Sequence, residues 1–345
     1  MQMPVQFGLA VEDRSAVGEA RREAARLAAT LDFGEPEAGA LALVVTEAAT
    51  NILKHAGGGQ MIFRIVQRGA TGGIEVLALD RGPGLANLGQ AFRDGHSTAG
   101  SSGTGLGAIQ RMSAEFHVHS TPHKGTVLRV VVWARSAPGN EAEGPVIGAI
   151  CLPKSGETAV GDAWAVMPRH DGFLICVVDG LGHGPEAAMA ARTAIASVSE
   201  GAMRANSVTE LVERAHLAMR PTRGAALAMA RVTSENGICS FCGVGNISAC
   251  LLSRGQSRSL VSTAGILGHQ VHRIKEFQYP FSEDTLCIMH SDGLATRWRL
   301  DDYPGLESAH PALVAGVLYR DYSRQRDDTV VCAVRGAIGR VSCVS

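Results

Sequence analysis

The sequence predicts a two-domain α/β protein, on three observations. The chain has 345 residues, 46% of them hydrophobic, and 41 glycines, enough for two buried cores and many tight turns. Residues 136–145, SAPGNEAEGP, are polar, carry two Pro and two Gly, and show no periodicity. On either side of that break, helical and strand patterns alternate in full. The boundaries are therefore placed at 1–135 for the first domain, 136–145 for a linker and 146–345 for the second domain.

In the first half, Val17, Ala20, Ala24, Leu27, Ala28 and Leu31 recur at helical spacing between charged residues, so 13–31 reads as a helix. Gly34 and Pro36 end it, and a second apolar periodicity covers about 37–56. Strands follow near 60–67 (QMIFRIVQ) and 74–79 (IEVLAL). A Gly/Ser-rich loop at 95–107 opens a helix, and strands near 116–120 and 126–133 close the domain. In the second half, 146–152, 160–167 and the apolar run 173–178 read as strands, then 185–200 and 208–219 as helices. Strands near 226–233, 237–242, 247–252 and 285–290 follow, and TVVCAV (329–334) is the last.

Several classes are excluded. A formal net charge of −1 leaves no basic field for nucleic acid, and the sparse aromatics offer little for base stacking. No apolar stretch reaches the roughly 18–20 residues that a membrane helix requires, and the N-terminus lacks the basic-then-apolar order of a signal peptide. Cys239 and Cys242 form a C-x-x-C without a second pair at zinc spacing, in a segment that reads strand, turn, strand, so the eight cysteines read as reduced structural thiols. The expected location is the cytoplasm.

Two groups of polar residues stand out. In TEAATNILKHAGGG (46–59), Glu47, Asn51 and His55 lie at i, i+4 and i+8 and share one helix face, with Lys54 at its margin. That stripe is either a solvated face or a Mg²⁺ and phosphate site, with the Asn carbonyl on the ion, the Glu as base and Lys and His meeting phosphate charge. Asp80 ends a strand and is followed by R-G-P-G, so Gly82 and Gly84 let a planar ligand lie against the backbone while the carboxylate accepts from an exocyclic amine. SSGTGLG (101–107) then opens a helix whose Gly103, Gly105 and Gly107 allow N–H groups to converge on phosphates. It is not a Walker A, because the Gly-Lys-Ser/Thr ending is missing.

In order and spacing, E-x-x-x-N, D-x-G-x-G, G-x-G-x-G and the Gly125-Thr126 pair resemble the GHKL ATPase superfamily. Residues 5–133 are most similar to its small bacterial anti-sigma and switch serine kinases. The resemblance implies a Bergerat-type α/β sandwich that binds ATP and Mg²⁺. It makes Glu47 the catalytic base, Asn51 the Mg²⁺ ligand and Asp80 the adenine reader. Lys54, His55, Gly82, Gly84 and Thr126 complete the nucleotide site, and Gly103, Thr104, Gly105, Leu106 and Gly107 form the phosphate lid.

The second group lies beyond the linker. VVDGLGHG (177–184) delivers Asp179 at a strand end into a loop with little side chain, where Gly180 can offer its carbonyl. Alone, this is as well explained by an Asp-Gly turn. Asp162 in VGDAW, Asp292 in CIMHSDGL and the Asp327-Asp328 pair before the last strand add further acidic strand ends, a pattern suited to a two-metal site that activates water for phosphoester hydrolysis. GD, DGxGHG, the Leu267-Gly268 turn, SDG and DD fall in the order of the PP2C-like serine/threonine phosphatases of the SpoIIE type, which residues 145–335 resemble. The resemblance implies an α/β/β/α sandwich holding two Mn²⁺ or Mg²⁺ ions. Asp179 would bridge them, with the Gly180 carbonyl on one; Asp292 and Asp327 or Asp328 would complete the second, and Asp162 would hold an outer or third site. His183 is expected to anchor the loop. Val160 stands where the family pattern has a Ser before Gly-Asp, and Thr329 follows the Asp pair directly, which leaves the choice within that pair open.

Together the resemblances imply a bifunctional partner-switching regulator acting on STAS-domain anti-sigma antagonists or stressosome-type proteins. The alternative is an ATP-dependent module that holds such an antagonist or a sigma factor, fused to an active phosphatase.

Overall fold

The computed structural model describes residues 6–85, 105–135 and 144–336. These form two compact units, one holding the described residues up to 135 and the other those from 144 onward.

The first unit is a five-stranded antiparallel sheet with helices on one face. Its strands are β1 (Gln6–Val11), β2 (Gly59–Arg68), β3 (Thr71–Asp80), β4 (Glu115–Thr121) and β5 (Gly125–Trp133), in the order β1-β2-β3-β5-β4. Helix α1 (Arg14–Ala29) begins where Asp13 Oδ1 accepts from the N–H groups of Ser15 at 2.8 Å and Ala16 at 3.1 Å, which satisfies two donors that the first turn leaves unpaired. Its buried stripe, Ala16, Ala20, Ala24 and Ala28, is spaced one turn apart and small, so α2 (Glu35–Asn51) packs closely beside it. Leu41, Val44, Val45, Ala48 and Ala49 of α2 join Met61, Phe63, Ile74, Val76 and Val130 in a single core. The sheet's other set of alternating positions is also buried and includes charge. Glu75 lies between the guanidinium groups of Arg64 and Arg129, each at 2.7 Å, and these two cations hold its carboxyl below the usual range against the opposing effect of burial. Helix α3 (Gly105–Met112) enters β4.

The sequence reading missed β1, whose inward side chains are only Leu9 and Val11, too short an alternation to stand out.

The second unit is two stacked sheets with helices outside. β6 (Val146–Leu152), β7 (Asp162–Arg169) and β8 (Gly172–Gly180) lead into α4 (Pro185–Gly201) and α5 (Val208–Ala218). Then come β9 (Ala225–Thr233), β10 (Ile238–Val244), β11 (Ser248–Ser253), β12 (Gln256–Ser259), β13 (Ser262–Thr263), β14 (Phe277–Pro280) and β15 (Leu286–His290), and finally α6 (Pro311–Tyr322) and β16 (Thr329–Arg335). One sheet runs β13-β10-β9-β8-β7, with β14 also on β10; the other runs β12-β11-β15-β16-β6. Strand β8 shows why both faces must be apolar. Phe173, Ile175 and Val177 fill the space between the sheets, while Leu174, Cys176 and Val178 meet α4 and α5. On the far side α6 packs against β6 and β16. The architecture is the α/β/β/α sandwich expected from the sequence.

Helix α6 went unread because Leu313 to Leu318 are buried all round, which erases the amphipathic period. The segment around Cys239 and Cys242 is strand, turn, strand, but β10 and β11 belong to different sheets. Cys239 faces the core between the sheets and Cys242 the helix-side core, and burial pushes each thiol up to about 12.

Candidate functional site

In the first unit, Glu47 and Asn51 lie one turn apart on α2. The helix continues as a π turn over Ile52–Ala56, which narrows the angular step per residue beyond Asn51. Lys54 and His55 are exposed there, and burial, then the Lys54 ammonium, lower the His55 imidazole pKa against the pull of Asp80. The start of α3 lies directly over the Glu47–Asn51 pair. A Cβ built on Gly105 would stand 3.2 Å from both terminal atoms of the Asn51 amide and 3.5 Å from Glu47 Oε2. The first-turn N–H groups of α3 and these two side chains therefore border one space, the arrangement that receives phosphate charge at a helix N-terminus. Leu106 and Gly107 lie in that same turn, whereas Gly103 and Thr104 lie outside the described residues.

Asp80 ends β3. Its Oδ1 accepts from the Gly82 N–H at 2.8 Å and from the Thr126 N–H at 3.2 Å. The carboxylate is thus held at the junction of β3 and β5, with Thr126, whose hydroxyl meets Ser120 Oγ at 2.9 Å, beside it. Gly125 makes this contact possible: at φ 87°, a Cβ there would fall 2.0 Å from the Asp80 carbonyl oxygen. Gly84 closes the turn against the Thr121 carbonyl.

In the second unit, the register places Asp162 of β7 directly opposite Asp179 of β8. Asp162 is buried, and Ser291 donates to its Oδ2 at 2.7 Å while accepting from the Val330 N–H at 3.1 Å. Asp292 follows Ser291 and accepts on Oδ2 from Asn246 Nδ2 at 2.9 Å. The Asp179 carboxyl is pushed up to about 7, first by burial, then by the charges of Asp292 and Asp327; a hydrogen bond from Asn246 works against this. Burial and then Asp179 push Asp162 up in the same way. Asp162, Asp179, Asp292 and Asp327 thus share one electrostatic neighbourhood. Among the described residues no three His, Cys, Asp or Glu side chains close into a ready ligand cage. The site is instead a set of carboxylates beside backbone oxygen, a donor set that suits a hard divalent cation completed by water. At Gly180, a Cβ would fall 2.3 Å from the Ala187 carbonyl oxygen, so the backbone there passes too close to α4 for any side chain.

The Asp pair divides its roles. Asp328 is buried and both of its oxygens are used: Oδ1 accepts from the Lys154 N–H at 2.8 Å and Oδ2 from the Gly161 N–H at 2.7 Å. It clasps the segment between β6 and β7. Asp327 is exposed and is the member of the pair that burdens Asp179 more. His183 Nδ1 lies 2.9 Å from Glu157 Oε1, at the rim of the loop. Sequence reasoning missed Asn246, the amide that bridges Asp179 and Asp292. It sits in the short β10–β11 turn after Gly245, with no acid or metal-ligand spacing to mark it.

The two halves of the chain match different known families. Residues 10–132 match the model of the histidine kinase-like ATPase domain, and 169–336 match that of stage II sporulation protein E (SpoIIE). The serine/threonine-protein kinase RsbT of Bacillus subtilis (strain 168) is 33% identical over 117 residues, which span 34% of this chain and 87% of the relative. The phosphoserine phosphatase RsbX of the same organism is 31% identical over 145 residues, 41% of this chain and 71% of the relative. A solved chain from "The bacterial stressosome: a modular system that has been adapted to control secondary messenger signaling" aligns with 56% of this chain and all of its own length, at 30% identity and a TM-score of 0.52. The chain therefore belongs, in its first unit, to the histidine kinase-like ATPase family of GHKL type and, in its second, to the SpoIIE family of PP2C-like phosphatase domains.

Proposed function

We propose that the chain is a partner-switching regulator of the cytoplasm whose first unit transfers phosphate from ATP to a serine or threonine of a STAS-domain or stressosome-type protein. Its second unit removes phosphate from such a protein. The observation that carries the reading is the gathering of Asp162, Asp179, Asp292 and Asp327, in which burial and then the neighbouring carboxylates push the Asp162 and Asp179 carboxyls up, a crowding that a divalent cation would relieve. Among the described residues no helix is long and apolar enough to cross a membrane. The seven described cysteines are free thiols, in keeping with a reducing compartment.

In the first unit, Asp80 orients the nucleobase and Asn51 holds Mg²⁺ beside the first turn of α3. Glu47, one turn away from Asn51, accepts the proton of the attacking hydroxyl. In the second unit, Asp179, Asp292 and Asp327 with the Gly180 carbonyl hold two Mn²⁺ or Mg²⁺ ions, and Asp162 takes an outer position. When bound, such ions lower the pKa of a coordinated water and offset phosphate charge. Asn246 keeps Asp179 and Asp292 apart at a fixed spacing, and Asp328 holds the surrounding loops.

The test is hydrolysis of an aryl phosphate with Mn²⁺ by the full chain and by Asp179→Ala, with phosphotransfer to candidate STAS proteins by the full chain and by Glu47→Ala. Activity lost in Asp179→Ala supports the phosphatase; no activity in the unmutated chain sinks it. Phosphotransfer that disappears in Glu47→Ala while nucleotide binding persists supports the kinase. Absence of phosphotransfer in the unmutated chain leaves ATP-dependent partner binding as the role of the first unit.

A further inference from the structure

A cluster of carboxylates that holds cations must still admit a phosphate dianion, and the Asp residues around Asp179 contribute only negative charge. One cationic side chain reaches the loop after Asp179 from the turn before β9. Arg223 lies against Gly182, where a built Cβ would be 3.5 Å from Nη1, and its Nε is paired with Glu186 in the first turn of α4. Both partners are about half or more exposed, at 51% and 67% of their side chains, so the pair is open to exchange with solvent or ligand.

The backbone under Arg223 is fixed. Thr222 Oγ1 donates to the Met219 carbonyl at 2.7 Å and accepts from the Gly224 N–H at 3.1 Å. Gly224, at φ 83° and with a Cβ position 2.5 Å from the Leu267 carbonyl oxygen, cannot carry a side chain. The Gly224 carbonyl accepts from the Leu181 N–H at 3.0 Å, which ties this turn to the residue following Gly180. Leu181, 49% exposed, and Ile266, whose Cγ2 lies 2.8 Å from the Cβ position of Gly224, flank the turn with apolar surface. The surroundings therefore combine a guanidinium beside the acidic loop, an exposed and replaceable carboxylate partner, and an apolar border.

We propose that Arg223 is the phosphate-receiving side chain of the second unit: it leaves Glu186 and forks onto the phosphate of a phosphoserine or phosphothreonine held at the acidic loop. Glu186 acts as a stand-in acceptor that keeps the guanidinium placed between turnovers. Guanidinium suits this task because its N–H groups match phosphate oxygens in pairs. The inference rests on the phosphatase reading of this unit.

The test uses the full chain with Mg²⁺ and titrates inorganic phosphate by calorimetry, with initial rates on a phosphoserine peptide as a second readout. Arg223→Ala is expected to weaken phosphate binding about tenfold, the loss of one charge-assisted contact, and to raise KM by a similar factor with kcat changed less than about threefold. Arg223→Lys is expected to regain part of the loss. Glu186→Gln is expected to act in the opposite direction and tighten phosphate binding, because it removes the competitor. An ion pair that serves only to hold the loop would make both substitutions weaken binding alike, and that result overturns the proposal. So does unchanged phosphate binding in Arg223→Ala, or no phosphate binding by the unmutated chain. Phosphate binding without any phosphoester hydrolysis would count against the phosphatase reading alone, and the binding comparison still decides the role of Arg223.

Discussion

Asp80 and Asp179 occupy the same local setting, the last position or nearly the last of an apolar strand before a glycine-rich turn, and they end among opposite kinds of neighbour. Asp80 Oδ1 collects two backbone N–H groups, from Gly82 and Thr126. Asp179 looks across at Asp162 and toward Asp292 and Asp327, and its carboxyl is pushed up to about 7. A carboxylate oriented by amide donors is a fixed acceptor that can read a ligand's N–H. A carboxylate crowded by others is a vacancy in charge, suited to a cation. The local motif does not decide between these; the strands placed opposite it do.

The largest effects expected are those that test this contrast directly. Asp179→Asn should reduce Mn²⁺-dependent hydrolysis of an aryl phosphate by about three orders of magnitude and leave nucleotide binding intact. Asp80→Ala should weaken ATP binding roughly tenfold to a hundredfold, measured by nucleotide titration, and leave hydrolysis intact. Cross-over of either effect would break the comparison.

The two members of the Asp pair should separate next. Asp328→Ala strands the N–H groups of Lys154 and Gly161 and should lower unfolding stability by about 2–4 kcal/mol in a denaturant titration. Asp327→Ala removes an exposed side chain and should leave stability within about 0.5 kcal/mol while raising the metal concentration needed for activity. Equal loss of stability in the two variants would remove the division of roles.

Asn246→Ala should raise the half-activating Mn²⁺ concentration about tenfold, as loss of a group that orients two ligands does. The smallest effect is on melting. Saturating Mg²⁺ or Mn²⁺ at about 100 times its dissociation constant should stabilise the second unit by about 2.7 kcal/mol, and a chelator should reverse it. A metal-induced shift that persists in Asp179→Asn would place the ion elsewhere.

The sequence carried most of this because acids at strand ends and glycines at turns are local signals. β3, β7, β8 and β16 are apolar runs that end or begin at an acid, so their polarity change is visible within a few residues. What stayed hidden depends on pairing over long separations. Asn246 acquires its role only when the β10–β11 turn reaches Asp292, 46 residues away. The preference for Asp327 over Asp328 follows from amides 174 and 167 residues upstream that occupy Asp328. The π turn at Ile52–Ala56 stayed hidden because nothing in its residues announces one. Helix α6 was lost to its own burial, since a segment apolar on every side has no face to detect.

The pairing of β6 with β16 has a consequence for how this unit can be built. Val146, where β6 begins, stands directly opposite Arg335, where β16 ends, so the unit's first and last strands are neighbours. A ribosome delivers them at opposite ends of synthesis, and the clasp from Asp328 to Lys154 and Gly161 can close only after β16 has emerged. The acidic centre is therefore assembled last, and a nascent or C-terminally cut chain has the aspartates at 162, 179 and 292 without the strand that gathers them. The same adjacency makes the unit a candidate for circular permutation. A short glycine-rich bridge from Arg335 to Val146, with new ends opened in the exposed Arg254–Gly255 turn, should preserve both sheets.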